Sequence, residues 1–168
     1  DGRLSVNYRC DAPVGSGLGT TGAINVALMA AINGADNAEE AAYQFEALLG
    51  NTGGRQDQWA AKHGGFNHLM FIGDSVEEMP FDPPRSARFW LQKHLIVANT
   101  GIPHVSGDLH DAIWEKYAAK DEGVIQGLMT IRLAARKMAQ ALDQDRRNLV
   151  VEALQDVCKG VDALDMSL

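Results

Sequence analysis

The chain has 168 residues and a mass of 18.2 kDa, enough for one domain or two small ones around a sizeable core. Apolar residues make up 46% and charged residues 22%, a globular mixture that argues against disorder. The net charge of −7 and the pI near 5.1 argue against nucleic acid or an anionic membrane surface as a partner. No apolar stretch reaches the roughly 18–20 residues of a membrane span. The two cysteines make no disulfide framework, so a cytoplasmic location is expected.

The N-terminal part of the chain predicts one strand and two helices. Residues 4–10 alternate apolar and polar side chains, which is the period of a half-buried strand, and Pro13 ends it. A nearly all-apolar helix is expected over 23–32, and an amphipathic helix over 39–49. Because the chain begins at Asp1-Gly2 and enters the strand almost at once, we expect an internal piece of a longer chain.

The rest of the chain predicts a β-hairpin, one more strand and then helices alone. Residues 66–72 and 76–81 are expected to pair as strands. The best candidate linker lies near 82–90, where prolines cluster, and residues 91–98 predict another strand. From residue 106 onward the apolar pattern is helical. This order of elements predicts an α+β fold with a join near the linker.

A glycine-rich turn over residues 13–23 joins the first predicted strand to the first helix. The first N–H groups of a helix are unpaired and lie at the positive end of its dipole, which favours a phosphate. Thr20 and Thr21 add hydroxyls that suit phosphate oxygens or a Mg²⁺ held by them. The turn therefore predicts an anion site, and the alternative is an ordinary tight turn with hydroxyl N-caps.

Two general nucleotide-binding motifs fit this turn poorly. Residues 17–22 match the Gly-x-Gly-x-x-Gly dinucleotide fingerprint, but that fingerprint needs a second parallel strand after the helix. A helix is predicted over 39–49, so a dinucleotide enzyme would require a strand in its place. The Walker motif requires a Lys after the last glycine, and none follows Gly22.

The turn does resemble the second motif of the galactokinase, homoserine kinase, mevalonate kinase and phosphomevalonate kinase (GHMP) superfamily. That motif has Pro, three residues and Gly-Leu-Gly-Ser-Ser-Ala, and this chain has Pro13 followed by Gly-Leu-Gly-Thr-Thr-Gly over 17–22. Thr keeps the hydroxyl, whereas Gly for Ala loosens the helix start slightly. Thr20 and Thr21 would also lie near Mg²⁺. The resemblance implies that ATP phosphates are bound by Gly15, Ser16, Gly17, Leu18, Gly19, Thr20, Thr21 and Gly22.

A second glycine-rich segment begins Gly-Gly-Arg-Gln-Asp-Gln-Trp at residue 53. It is similar to the Gly-Gly-Lys-Gln-Asp-Gln-Tyr segment of the sugar kinases in the superfamily, the heptose-phosphate kinases first and the fucokinases next. The resemblance implies that Asp57 is the catalytic base, that Arg55 beside it is also a catalytic residue, and that Glu46 helps to hold Mg²⁺. A carboxylate next to an arginine would stay ionised. The alternative is an acid that caps the short helix near Trp59. The implied substrate contacts here are Gly53, Gly54 and Gln56.

A third segment, 95–106, is similar to the strand and turn that open the second half of these kinases. Thr100, Gly101 and Ser106 match positions that face the substrate, and His104 stands where an Arg is common. We therefore expect substrate contacts from Thr100, Gly101 and Ser106.

Together these resemblances imply a two-lobed GHMP-kinase-like α+β fold, present in part. An S5 domain 2-like N-terminal lobe is expected over 1–84, and the helical part of a C-terminal lobe over 85–168. The implied cofactors are ATP and Mg²⁺, and the implied reaction phosphorylates a hydroxyl of a sugar or sugar phosphate. The family's N-terminal substrate-binding segment and third glycine-rich motif are not found, so this chain alone is expected to be incomplete as an enzyme. Alternatives are a fucokinase- or galactokinase-like enzyme and a non-catalytic nucleotide or sugar-phosphate binding module; a homodimer stays open.

Overall fold

The structure is a computed structural model, and it describes residues 5–13, 15–51, 53–99, 101 and 107–164. The chain forms two compact units, Asp1–Gly65 with Ala98–Gly107 and Phe66–Val97 with Asp108–Leu168. Helices combined with a small sheet agree with the predicted α+β class, while the two lobes divided at residue 84 stay a prediction. The elements are α1 (Thr20–Asn33), α2 (Ala38–Leu48), α3 (Gln56–His63), β1 (His68–Ile72), β2 (Ser75–Met79), α4 (Arg85–His94), α5 (Gly107–Ala118), α6 (Glu122–Asp143) and α7 (Arg147–Ala163).

In the first unit α1, α2 and α3 pack on one another. Val26 of α1 and the small residues Ala38 and Ala42 of α2 form the buried core. Small side chains at a helix contact allow the backbones to approach closely. Lys62 near the end of α3 forms an ion pair with Glu39 of α2, at 3.6 Å. The helices predicted over 23–32 and 39–49 are thus confirmed as α1 and α2. Helix α3 packs against both of them.

The second unit contains a β-hairpin and helices. β1 and β2 are antiparallel and joined by a two-residue turn, with His68 opposite Met79 and Ile72 opposite Ser75, which confirms the predicted strand pair. The helix that follows, α4, and the helical hairpin of α6 and α7 share a buried core at Ala87, Ala141, Leu142 and Val150. Among the helices that the structure describes, none combines the length and the apolar character needed to cross a bilayer.

The strand predicted over 91–98 is wrong, because α4 extends to His94 and residues 95–99 have no regular secondary structure. Ala87, Trp90 and Leu91 lie one helical turn apart on one face. Ala87 is 2% exposed, and the other two pack against the core around it. The helical spacing of these three apolar residues therefore decided the local structure, and the apolar run over 95–98 did not form a strand.

The strand predicted over 4–10 is also wrong for its described part, 5–10, which has no regular secondary structure and is exposed. Val6 is 51% exposed and Tyr8 is 72% exposed. A strand is stabilised by pairing with a neighbour, and within the described ranges β1 and β2 pair only with each other. The alternating pattern alone did not produce a strand here.

Candidate active site

The glycine-rich turn has an alternating backbone. Gly15, Gly17 and Gly19 have positive φ angles of 70°, 69° and 66°. Backbone turns that contain left-handed residues can point successive N–H groups toward one side, which favours an anion there. Glycine adopts this conformation without the penalty that a Cβ imposes. We call residues 15–21 the phosphate cradle, after the ligand that the sequence predicts for them.

The first turn of α1 has no side-chain cap. Its N-cap residue is Gly19, and the two threonines that follow are the first residues of the helix itself. The hydroxyl-capped turn, the alternative from sequence, is therefore wrong. Thr20 Oγ1 and Ser16 Oγ are buried and find no hydrogen-bond partner among the described residues. Buried hydroxyls without partners are costly, and a phosphate oxygen would satisfy both, so this turn fits the phosphates of ATP.

Asp57 lies against this turn. A Cβ built on Gly19 would be 3.2 Å from Asp57 Cγ and 3.4 Å from its Oδ2. One built on Gly22 would be 2.9 Å from Asp57 Cβ, which is too close, so glycine at position 22 permits the contact. Asp57 itself is exposed and is the second residue of α3. The structure therefore places an accessible carboxylate next to the phosphate cradle.

Asp57 does not cap a helix, as the alternative from sequence required. Helix α3 begins at Gln56, three residues before Trp59, and its N-cap position is held by Arg55 without a side-chain hydrogen bond. The dinucleotide alternative also fails, because α2 is a helix where that fold would require a strand.

Glu46 is buried, with 5% of its surface exposed. Its Oε1 accepts a hydrogen bond from Asn25 Nδ2 at 3.0 Å, and its Oε2 accepts one from Asn51 Nδ2 at 2.8 Å. Asn25 follows Gly22 by one turn of α1, so Glu46 and Asp57 contact neighbouring turns of the same helix. Two carboxylates are thus arranged along α1, beginning at the phosphate cradle.

A magnesium ion would find few protein donors here. Within the described residues no group of three or more His, Cys, Asp or Glu is arranged to hold a metal. Mg²⁺ beside nucleotide phosphates usually needs only one or two carboxylates and keeps several waters. The carboxylate of Glu46 retains unused lone pairs, and the unpaired hydroxyl of Thr20 lies at the cradle. These donors fit a Mg²⁺ that is held chiefly by phosphate oxygens.

Arg55 binds α2. Its Nε lies 3.3 Å from Glu40 Oε2, and its guanidinium carbon lies 4.0 Å from the centre of the Tyr43 ring. The ion pair of Arg55 is therefore with Glu40 and not with Asp57, contrary to the electrostatic argument from sequence. These contacts hold the residue before α3 on the surface of α2.

The remaining predicted substrate residues are described in part. The N–H of Gly53 donates to Asn51 Oδ1 at 3.1 Å, and Gly54 lies against the side chain of Gln56. The N–H of Gly101 donates to Asn99 Oδ1 at 2.8 Å. Thr100 and Ser106 lie outside the described residues. Nothing in these contacts tests a role in substrate binding.

Sequence reasoning missed Asn25 and Asn51, which hydrogen-bond to Glu46. One signal for Asn25 was available, because it is the single polar residue between Ala23 and Ile32. Asn51 gave no comparable signal, since an Asn after a helix is ordinary loop chemistry.

Comparison with known proteins gives one family and one relative. Residues 2–65 match the family model described as GHMP kinases N terminal domain. The chain is similar to D-glycero-alpha-D-manno-heptose 7-phosphate kinase of Campylobacter jejuni, with 29% identity over 151 residues. The match covers 83% of this chain and 43% of that kinase, so the chain spans less than half the length of this relative. No solved structure matches the chain significantly.

Proposed function

We propose that this chain belongs to the GHMP kinase family, whose N-terminal domain model matches residues 2–65, and that it carries the nucleotide-binding part of an ATP-dependent sugar kinase. The observation that carries the proposal is the contact of Asp57 with Gly19 and Gly22. A carboxylate beside a phosphate cradle supports this proposal, since transfer of a phosphoryl group to a hydroxyl depends on a group that positions the hydroxyl next to the phosphates.

The geometry supports a proposed role for each group. Backbone N–H groups between Gly15 and Thr21 bind the ATP phosphates, and the hydroxyls of Ser16 and Thr20 donate to phosphate oxygens. Asp57 accepts the proton of the sugar hydroxyl and orients it toward the γ-phosphate. Glu46 and the threonine hydroxyls would hold Mg²⁺, which would supply positive charge to neutralise the phosphates.

The proposed acceptor is a heptose phosphate. Support comes from the similarity to a kinase named for D-glycero-alpha-D-manno-heptose 7-phosphate, and from the Gly-Gly-Arg-Gln-Asp-Gln-Trp segment that begins at residue 53. The test is an assay of ADP release by the whole protein against heptose 7-phosphate, fucose and galactose. A preference for fucose or galactose would contradict the proposed acceptor but not the kinase.

The catalytic role is tested with Asp57→Asn. We expect turnover to fall by roughly 10²–10⁴, because a positioned base contributes about that much, while ATP affinity is retained. Asp74→Asn, in the exposed turn between β1 and β2, is the control for the loss of one negative charge and should leave turnover unchanged.

Near-normal turnover of Asp57→Asn would refute its role as base. Binding of ATP·Mg²⁺ with no ADP release from the unaltered whole protein would favour the non-catalytic binding module instead.

A further inference from the structure

One side chain connects the buried carboxylate of Glu46 to the loop that leads into α3. The N–H of Asn51 donates to the Glu46 carbonyl at 3.0 Å, and Asn51 Nδ2 donates to the Glu46 carboxylate. The Oδ1 atom of the same side chain accepts the N–H of Gly53. Because one end of the amide faces an acceptor and the other faces a donor, a single orientation of Asn51 satisfies both. Asn51 is therefore held at three points.

Together with contacts of α1, these hydrogen bonds connect Glu46 to Asp57 by two routes. Asn25 ties the buried carboxylate to α1, one turn after Gly22. Asp57 lies against Gly22, and the chain runs from Asp57 back to Gly53, which Asn51 holds. A short path of hydrogen bonds and backbone thus connects the Glu46 carboxylate to Asp57, with Asn51 as its polar link. The buried carboxylate of Glu46 accepts from Asn25 and from Asn51, and the loss of either donor would leave an oxygen without that hydrogen bond.

We infer that Asn51 is a positioning residue, whose amide ties the Gly53-Gly54 turn to Glu46 and thereby sets where Asp57 stands against the phosphate cradle. This inference deepens the proposed function and rests on it, because a position of Asp57 matters to turnover only if Asp57 acts in the proposed reaction. The hydrogen-bonded path itself is a property of the chain without ATP or sugar, so it is measured separately.

A double-mutant cycle tests the path. Asn51→Asp keeps an oxygen for the N–H of Gly53 but replaces the amide donor with a second carboxylate facing Glu46. Glu46→Gln then returns a donor at the same place, with its other end still able to accept from Asn25. We expect Asn51→Asp alone to speed amide exchange over residues 53–57 by on the order of tenfold or more. In the double variant, exchange should return to within about threefold of the unaltered chain.

The chain contains a matched control. Asn99 also accepts the N–H of a glycine two residues on, in a second Asn-Thr-Gly sequence, but it is exposed. Asn99→Asp makes the same chemical change in the same kind of turn and should leave exchange over 53–57 unchanged. Equal effects of Asn51→Asp with and without Glu46→Gln would overturn the inference.

A kinetic measurement separates positioning from a merely structural role. In the whole protein, Asn51→Asp should lower kcat per folded molecule by about tenfold or more while the KM for ATP changes by less than about threefold, because the cradle is untouched. An unchanged kcat in a variant with fast exchange over 53–57 would overturn the positioning role. Failure of the proposed function would instead be seen as absent ADP release in the unaltered protein.

Discussion

Gly22 has no side chain, and α3 approaches α1 closely at this residue. The methyl carbon of an alanine at this position would overlap Asp57 Cβ at 2.9 Å and lie 3.3 Å from the Asp57 carbonyl carbon. The GHMP motif that this turn resembles has Ala at this place, and from the sequence we expected Gly in its place only to loosen the start of the helix. Gly22 has a packing role in the structure, because the absence of a side chain there lets Asp57 lie close to α1.

Gly22→Ala should therefore impair the reaction more than the fold. Overpacking costs typically about 1–3 kcal/mol, and alanine returns roughly 1 kcal/mol of helix propensity, so the free energy of unfolding should fall by at most about 2 kcal/mol. The displaced Asp57 should lower kcat by about tenfold or more, since misplacement by about 1 Å can cost roughly 10²-fold. Denaturant unfolding and steady-state kinetics measure the two quantities.

Ala23→Ser is the control for this change, because it adds one atom at the next, exposed position of α1. A Gly22→Ala enzyme with normal kcat would show that α3 can shift without consequence.

At the scale of the elements, α6 and α7 cross at two glycines. A Cβ on Gly127 would lie 2.9 Å from the Gly160 carbonyl oxygen, and a Cβ on Gly160 would lie 2.6 Å from Ile131 Cγ1. The backbones of the two helices are therefore in direct contact. An added methyl group would force them apart, since packed interiors have no room to absorb it.

Gly127→Ala and Gly160→Ala should each lower the free energy of unfolding. The expected cost is about 1–3 kcal/mol from overpacking, which outweighs the roughly 1 kcal/mol of helix propensity gained. Gln126→Ala, at an exposed position of the same helix, should change stability by less than about 0.5 kcal/mol. A more stable Gly127→Ala chain, in thermal or denaturant unfolding, would contradict the close crossing.

The same helices are joined by a charged pair with a defined pH dependence. A hydrogen bond from Lys137, and then one from Lys159 at 2.9 Å, lowers the pKa of Asp156 below its ordinary value. The hydrogen bond with Asp156 raises the pKa of Lys137. A lowered carboxyl pKa stabilises the fold above the ordinary value of 3.8, and this stabilisation is lost as the pH falls through the lowered pKa.

Asp156→Asn should thus lower the melting temperature slightly at neutral pH and not at all in acid below the lowered pKa. The effect should be small and should shrink with added salt, because the pair is partly exposed. Asp162→Asn, exposed on the same helix, is the control. A difference that persists unchanged into strong acid would contradict the electrostatic origin.

At the scale of the whole molecule, the two compact units separate the candidate site from the remaining helices. The first unit holds the cradle, Asp57 and Glu46, and the family match over 2–65 falls within it. The second unit holds the hairpin and the α6–α7 pair, in a core of its own. The chain passes from the first unit to the second after residue 65 and returns to the first over residues 98–107. The two lobes predicted to meet at residue 84 stay a prediction.

Binding of ATP·Mg²⁺ should accordingly protect one unit. In hydrogen exchange with the ligand at about 100 times its Kd, amides over 15–33 and 53–63 should slow by up to roughly a hundredfold. Amides of α6 and α7 should not change. Protection confined to α6 and α7 would contradict nucleotide binding at the glycine-rich turn.

Much of the local structure could be predicted from the sequence, because the responsible signals span few residues. The apolar run over 23–32, the amphipathic pattern over 39–49 and the hairpin turn each contain their own periodicity or turn residues. The strands predicted over 4–10 and 91–98 were wrong for a physical reason: a strand requires a partner, and a local pattern carries no information about one. In α4 the helical spacing of Ala87, Trp90 and Leu91 was the pattern that correctly indicated the structure.

The sequence by itself determined the glycine-rich turn and the two carboxylates predicted to act beside it, because both are given by residue types in short motifs. Only the tertiary structure decided that Asp57 stands against Gly22 and that Asn25, 21 residues from Glu46, binds its carboxylate. Such contacts form when helices pack face to face, and the faces that meet depend on the whole arrangement of α1, α2 and α3. For the same reason Arg55, close to Asp57 in sequence, pairs with Glu40 in the folded chain.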